Sequence, residues 1–203
     1  MFLFFSICAV ITKPPIVRYS APIQLKNKYS KNRLCVTVEN NAVTYEPPTI
    51  FSSRPPFDDG WTWIVEPDVD NIHLARSPVK CGANISLQNP ISRYYVSTRI
   101  GLNGVEVVPT AHVQGDLSVW TVICDEGENW IRDRSVQLKN PANDCFLTTS
   151  LAARTKELVN RFNVTCEPLS ANGVWRAVEG VYFLEDDEKK ADDEFDFDKK
   201  EEL

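Results

Sequence analysis

The chain has 203 residues, of which 43% are hydrophobic and 25% charged, and its formal net charge is −6. This length suits one or two domains with a buried core, and the composition excludes a wholly disordered chain. No apolar stretch reaches the roughly 20 residues of a membrane helix, and the acidic balance argues against a general nucleic-acid binder. We therefore expect a globular protein with no membrane span and no nucleic-acid partner.

An uncharged apolar stretch, residues 1–12, opens the chain and ends at Lys13-Pro14-Pro15. Its length is typical of the apolar region of a secretory signal and falls short of a membrane span. Ala9 is the best candidate for the small residue that cleavage requires, and no basic residue precedes the stretch. We predict a signal peptide over 1–12, with a buried first strand as the alternative.

Three segments of the body share the pattern aliphatic-x-Leu-x-Asn, and their leucines are Leu25, Leu87 and Leu138. Nine positions after each leucine comes another aliphatic residue, and 33 to 38 positions after it comes a tryptophan. The aliphatic residues are Leu34, Val96 and Leu147, and the tryptophans are Trp63, Trp120 and Trp175. Such self-similarity at a fixed period indicates a repeat architecture.

The local pattern within each repeat is typical of strands, because apolar and polar residues alternate with period two around each leucine and tryptophan. The stretch 152–162 has some helical spacing, but we predict a loop and a strand there because its neighbours have no helical stripe. Units of about 55 residues without crossover helices favour antiparallel sheet. Three units that cannot each bury a face alone would close around one axis. We predict an all-β fold, a β-trefoil over 16–184 with repeats at about 16–67, 78–124 and 130–184, and the three tryptophans in its core.

The C-terminal segment 185–203 is different in kind, with 11 acidic residues, four lysines and a net charge of −7. It holds too little apolar surface to offset the entropy of ordering, so we predict a disordered acidic tail. Its last four residues resemble the KDEL retrieval signal: Lys200, Glu201, Glu202 and Leu203. With a signal peptide in front, this ending predicts the lumen of the endoplasmic reticulum. Without the tail's −7 the rest of the chain carries +1, so the exclusion of nucleic acid rests more on compartment than on charge.

Two further features agree with a lumenal protein. Asn84-Ile85-Ser86 and Asn163-Val164-Thr165 are glycosylation sequons, which makes Asn84 and Asn163 candidate glycan acceptors. If Cys8 leaves with the signal, five cysteines remain, and an oxidising lumen would allow two bridges with one thiol left over. The alternative is five small buried hydrophobic residues.

Four stretches carry a resemblance to a known family: Val79-Lys80-Cys81-Gly82, Val119-Trp120-Thr121-Val122, Asn129-Trp130-Ile131-Arg132, and residues 175–182 from Trp175 to Tyr182. In them the sequence resembles the MIR-domain proteins, and specifically the stromal cell-derived factor 2 family of small lumenal proteins. The resemblance is clearest over 79–182 and fainter in the first unit, which has a Pro-rich insertion at 46–59. Family members usually carry histidines after the first strand of a repeat. Here Tyr95-Val96-Ser97-Thr98 and Phe146-Leu147-Thr148-Thr149 carry none, so ligand chemistry that needs imidazole is in doubt.

The resemblance implies a β-trefoil of three MIR motifs and a role beside the lumenal chaperones. The implied partners are a J-domain protein, through it BiP, and misfolded client proteins. The sequence has no Gly-rich phosphate loop, no Cys-x-x-Cys pair and no His-Glu-x-x-His motif. We therefore predict a protein that is not an enzyme, with no catalytic residues, no metal site and no cofactor.

The repeat also suggests how the cysteines pair. Cys81 comes just before the first strand of the second unit and Cys124 just after its tryptophan, so Cys81–Cys124 is our first choice. Cys145 and Cys166 flank the centre of the third unit and would pair likewise, which leaves Cys35 as the odd thiol.

The second hypothesis is a glycan-binding module, since the MIR motif also occurs in protein O-mannosyltransferases and would recognise glycosylated or mannosylated proteins. A sugar site usually needs an exposed aromatic ring beside an amide or a carboxylate. Trp130 with Asn129 is the candidate platform, and Tyr94 with Asn89 is an alternative. Packing in the core is the competing interpretation for these rings.

Overall fold

A computed structural model of the chain describes residues 15–37, 48–54, 59–68, 74–102, 104–153, 161–168 and 171–180. Its elements are antiparallel strands and a few short 3-10 turns, so the predicted all-β class is confirmed. The strands are β1 (Pro22–Asn27), β2 (Arg33–Val36), β3 (Ile50–Ser53), β4 (Thr62–Pro67), β5 (Asn84–Gln88), β6 (Tyr95–Gly101), β7 (Gly104–Thr110), β8 (Trp120–Cys124), β9 (Val136–Asn140), β10 (Cys145–Ala153), β11 (Arg161–Glu167) and β12 (Trp175–Gly180). The predicted signal peptide, the acidic tail and its last four residues lie outside the described residues, as does the stretch 154–160 between β10 and β11.

Six strands form a closed ring of pairings in which β1 pairs with β4, β4 with β5, β5 with β8, β8 with β9, β9 with β12 and β12 with β1. The other six form the hairpins β2–β3, β6–β7 and β10–β11, and β11 joins the hairpins by pairing with β3 and β7. Each predicted repeat contributes four strands with the same pairing pattern. The pairings therefore repeat three times, as a β-trefoil requires.

The three tryptophans of the repeat lie in the core and play the same part in each unit. Trp63, Trp120 and Trp175 are fully buried, as predicted. Their indole N–H groups donate to the backbone carbonyls of the aliphatic residues that the repeat marks: Leu34 at 3.0 Å, Val96 at 2.8 Å and Leu147 at 2.8 Å. A buried indole N–H needs such a partner. The tryptophan of the last strand in each unit is thereby fixed to the second strand of the same unit.

The asparagines of the repeat are buried as well, and each closes a turn. Asn27, Asn89 and Asn140 are fully buried at the ends of β1, β5 and β9. The Asn89 amide donates to the carbonyl of Thr62 at 2.9 Å, while its Oδ1 accepts the backbone N–H of Ser92 at 2.8 Å. Asn27 and Asn140 make corresponding bonds to backbone on both sides. A buried amide that bonds backbone on both sides holds two chain segments together.

Backbone hydrogen bonds close one end of the ring through a triangle of three residues. Val17 N–H donates to Trp130 O at 2.8 Å, Trp130 N–H to Val79 O at 2.8 Å, and Val79 N–H to Val17 O at 2.9 Å. All three side chains are fully buried. Each residue precedes the leucine of its repeat by eight positions. The triangle therefore extends the threefold pattern to the segments that lead into the first strands.

Both predicted disulfide bridges are present. Cys81–Cys124 joins Cα atoms 5.6 Å apart across 43 residues, and Cys145–Cys166 joins Cα atoms 5.3 Å apart across 21 residues. By loop-closure entropy these bridges stabilise the fold by about 4 and about 3 kcal/mol. Cys35 is the remaining cysteine of the described residues, and it is a free and buried thiol as predicted. Among the described residues, no helix combines the length and the apolar character that crossing a bilayer requires.

Candidate protein-binding surface

The predicted glycan platform at Trp130 is wrong, because that ring is fully buried. Its indole N–H is also buried and has no hydrogen-bond partner among the described residues. The ring occupies the corner of the triangle where the other units place Val17 and Val79. Counting eight residues back from each repeat leucine aligns these three positions, and that spacing identifies Trp130 as a core residue.

The neighbouring polar candidates do not build a sugar site either. Asn129 is half-buried and pairs through its backbone with Lys80 in an isolated bridge. Asn89 is fully buried in its turn, and Tyr94 is half-buried against the core. The structure therefore does not bring an exposed aromatic ring and an open amide together at either predicted place.

The two sequons differ in their surroundings. Asn84 is exposed at the start of β5, and its Oδ1 accepts a hydrogen bond from Thr121 Oγ1 at 2.8 Å. Asn163 lies in β11 between two paired strands, and its Oδ1 is buried without a partner. A glycan needs open solvent around the acceptor nitrogen, so the geometry favours Asn84 over Asn163 as an acceptor.

The most conspicuous apolar surface is the end of the hairpin β6–β7. Its strands have seven residues each, whereas β2 and β3 have four each. Ile100 is 78% exposed and Leu102 is fully exposed where the hairpin turns. We call Ile100 and Leu102 the hairpin tip. Two large aliphatic side chains in open solvent at one turn form an apolar patch of the kind that marks binding surfaces.

Local chemistry fixes the turn that carries the tip. Register runs along the whole hairpin to a pairing of Gly101 with Gly104. Gly104 has a φ of +126°, which side-chain-bearing residues rarely adopt, and a Cβ on Gly101 would stand 2.5 Å from the Glu106 side chain. The glycines thus allow a tight turn, and the strands continue to its edge. The Asn-Gly pair at 103–104 is a typical sequence signal of such a hairpin.

A salt bridge and a set of buried hydroxyl groups hold the hairpin in place. Arg99 donates to Glu106 at 2.7 Å across the strands just below the tip. Thr98 Oγ1 donates to the carbonyl of Leu117 at 3.1 Å, and Ser97 and Ser118 share a buried hydroxyl contact. These contacts attach β6 to the 3-10 turn Gly115–Ser118. These contacts therefore fix the position of the strand that carries the tip.

A shallow groove of about 360 Å³ lies between this hairpin and the 3-10 turn. Its apolar lining comes from Ile100, Val108, Pro109 and Leu117. Ile100 belongs to both the groove and the tip, so the two surfaces are continuous. Together they could accept an apolar side chain and the segment that presents it.

Three ionisable groups among the described residues have raised pKa values, and one of them, Tyr95, begins β6 opposite the groove residue Thr110. Burial, with a smaller effect of Asp68, raises the pKa of Tyr19, and burial followed by the nearby Glu66 carboxylate raises the pKa of Tyr95. Burial raises the pKa of the Cys35 thiol to about 11, against small lowering effects of Ser53 and two arginines. Raised pKa values keep these groups protonated and neutral, which suits structural positions better than nucleophilic ones.

No family model matches the sequence, and no curated protein matches it. Solved structures do match the fold. The SDF2-like protein from Arabidopsis thaliana is 22% identical with a TM-score of 0.72, and the match covers 83% of this chain and 97% of that one. The protein O-mannosyltransferase complex of S. cerevisiae bound to the sugar donor is 15% identical with a TM-score of 0.68, covering 89% of this chain and 28% of that one.

A β-trefoil protein, BEL, matches at 12% identity and a TM-score of 0.54, covering 83% of this chain and 98% of that one. The chain thus has an SDF2-like fold, and one of the structures with which it shares that fold is a β-trefoil. The resemblance in the sequence and the likeness in three dimensions agree on this fold.

Proposed function

We propose that the chain is a divergent, non-enzymatic member of the MIR-domain family related to stromal cell-derived factor 2, with a β-trefoil body. In this proposal it resides in the endoplasmic reticulum lumen and assists chaperone-mediated folding and quality control. Its partners are a lumenal J-domain protein, BiP through that protein, and misfolded clients. The SDF2-like fold, the two disulfides, and the predicted signal peptide and retrieval signal support this assignment.

The hairpin tip is the observation that carries the protein-binding role. Ile100 and Leu102 are held in solvent by a paired hairpin although either side chain would gain about 2 kcal/mol on burial. A misfolded client exposes apolar segments, and the apolar groove beside the tip suits them. The rest of the described surface has only scattered large apolar residues, Tyr29, Ile91 and Ile123.

The test compares the wild-type chain with the double variant Ile100→Ser/Leu102→Ser in two assays with purified proteins. One assay measures light scattering as a reduced, unfolded client protein aggregates, and the other measures binding to a purified lumenal J-domain protein. We expect the variant to lose most of the protection in the first assay. The matched control is Ile91→Ser, because Ile91 is 52% exposed in the same unit but lies away from the tip.

Two results would contradict the proposal. Equal protection by the wild-type and double-variant proteins would remove the tip from client binding. Failure of the wild-type chain either to bind a J-domain protein or to delay aggregation would remove the chaperone role itself.

Glycan binding is the second candidate, supported by the likeness to part of the mannosyltransferase complex. With Trp130 buried, the half-buried Trp61 is the aromatic ring to test, although the Arg33 guanidinium lies 5.0 Å from its centroid. Binding to a glycan panel that Trp61→Ala abolishes, with the unfolding transition unchanged, would favour this candidate. A panel without a single bound glycan would reject it.

A further inference from the structure

A row of basic residues crosses five neighbouring strands. The pairing register aligns one residue from each strand across the sheet: Arg161 of β11, Ser53 of β3, Arg33 of β2, Lys26 of β1 and Arg176 of β12. All of these residues except Ser53 are cationic. Residues directly opposite in antiparallel strands project from the same face. With strands about 4.8 Å apart, the row is about 19 Å long. We call its four cationic residues the basic row.

Three members of the basic row lack a carboxylate partner in the described part of the chain. Lys26, Arg161 and Arg176 are half-buried and form no ion pair there, whereas Lys139 pairs with Asp144 at 2.5 Å. Arg176 Nε is buried and has no hydrogen-bond partner among the residues that the structure describes. Half-buried cations without a carboxylate partner favour the approach of an anion at their solvent-facing side.

Aromatic rings hold two of the guanidinium groups in place. Arg33 lies over Trp61 with 5.0 Å to the ring centroid, and Arg161 lies over Phe51 with 4.6 Å. A guanidinium that lies over a ring still points its N–H edge outward, where it can donate to a carboxylate. The basic row is therefore preorganised to bind a run of carboxylates.

The same chain contains a segment of matching charge. Residues 185–203 carry −7 while the rest of the chain carries +1, and only 181–184 separate them from the end of β12, the strand that contains Arg176. The 23 residues after Gly180 could extend about 75 Å, far more than the length of the row. We propose that the acidic segment 185–203 binds the basic row of its own chain, its carboxylates accepting hydrogen bonds from the row. This inference is independent of the proposed chaperone role.

Carbodiimide cross-linking of the full chain tests the contact directly. The reagent joins an amine to a touching carboxylate as an amide and takes up the water released. We expect mass spectrometry to find Lys26 joined to an acidic residue of 185–203 within one molecule. Salt at 1 M, which shortens the Debye length to about 3 Å, should suppress this product. Lys80, exposed and outside the row, is the internal control.

Binding of a synthetic 185–203 peptide supplies the second measurement. Its target is the full chain in which the acidic residues of 185–203 are changed to Asn and Gln. We expect Arg161→Gln and Arg176→Gln to weaken binding about threefold each, as loss of one screened ion pair does. The control is Arg93→Gln, because Arg93 is exposed and outside the row. Lys26→Gln, at an outward position on β1, serves as a further variant should either arginine change lower the folded fraction.

The wild-type chain should bind the peptide about tenfold more weakly than the neutralised chain, because its own segment competes at an effective concentration on the order of millimolar. Equal affinity for the two chains would overturn the proposal, since the row would then accept acidic peptides only from outside. Cross-links confined to dimers would assign the contact to a second copy and overturn it as well. So would the absence of both cross-link and peptide binding.

Discussion

The ring of six strands and the three hairpins follow the threefold repeat to different degrees. In the ring, each unit supplies the same buried leucine, tryptophan and asparagine with the same hydrogen bonds. The hairpins differ from unit to unit, since β2–β3 is short, β6–β7 ends in an apolar tip, and β10–β11 contains the bridge Cys145–Cys166. Sequence similarity among the units thus persists where side chains close the common core. The units diverge where the chain meets solvent.

Removal of one ring tryptophan should have the largest effect. Trp120→Ala would leave a cavity and an unpaired Val96 carbonyl, so we expect the free energy of unfolding to fall by about 4 kcal/mol, measured by urea denaturation. Trp120→Phe keeps an aromatic ring but loses the N–H donor, and we expect an intermediate loss. Trp61→Ala, at a half-buried position where the other two units have no tryptophan, is the control. A loss of unfolding free energy no larger than that of the control would show that the ring of six strands is not the main source of stability.

Removal of a buried asparagine of the repeat should have the second largest effect on stability. Asn140→Ala removes an amide that donates to the carbonyl of Val119 at 2.9 Å and accepts the N–H of Asn143 at 3.0 Å. Because buried backbone groups lose their partners, we expect a loss of about 2 to 3 kcal/mol in the same denaturation assay. Asn129→Ala is the matched control, since Asn129 is half-buried and we expect a change below about 0.5 kcal/mol there. Equal effects at the two positions would contradict a special role for the repeat asparagines.

The ring of six strands could be predicted from sequence because its residues recur at similar distances. The nine-residue step from Leu87 to Val96 is the same in the other two units, the step from leucine to tryptophan varies only from 33 to 38 residues, and the same geometry follows in each. Trp130, taken alone beside Asn129, suggests a sugar platform, and the structure contradicts that prediction because the ring is fully buried. Only its distance from Leu138, compared across the three units, marks it as part of the core.

The hairpin tip and the basic row could not be predicted, for a different reason. Ile100 and Leu102 alternate with other residues as core side chains do, and their exposure follows from their place where β6–β7 turns. The basic row joins residues of four different strands, and only the register between those strands brings them together. Both surfaces result from tertiary arrangement, which a short sequence pattern does not encode.

Titration of Cys35 tests the hairpin β2–β3, and its expected effect on the free energy of unfolding is intermediate. Burial raises the pKa of this thiol from 9.0 to about 11, so the folded state retains a proton that the unfolded state loses. The resulting stabilisation is complete below pH 9 and disappears as the pH rises towards 11. Relative to Cys35→Ala, the wild-type free energy of unfolding should fall by roughly 2 kcal/mol between these limits. A difference that stays constant over this range would place the thiol in solvent. Native-state alkylation at pH 8 should accordingly leave Cys35 unmodified until denaturant is added.

The smallest effect on stability is expected at the hairpin tip, where Ile100→Ser/Leu102→Ser should change the free energy of unfolding by less than about 0.5 kcal/mol. The two side chains already face water in the folded state, so folding gains little from their apolar surface. Leu87→Ser, at a fully buried ring position, is the contrasting variant and should destabilise strongly. A loss above 1 kcal/mol for the tip variant would mean that the tip packs against another part of the same chain. An unchanged free energy of unfolding would show that the ring of six strands stabilises the fold and that the hairpin tip does not. The apolar residues of the tip would then be dispensable for folding and available for a partner.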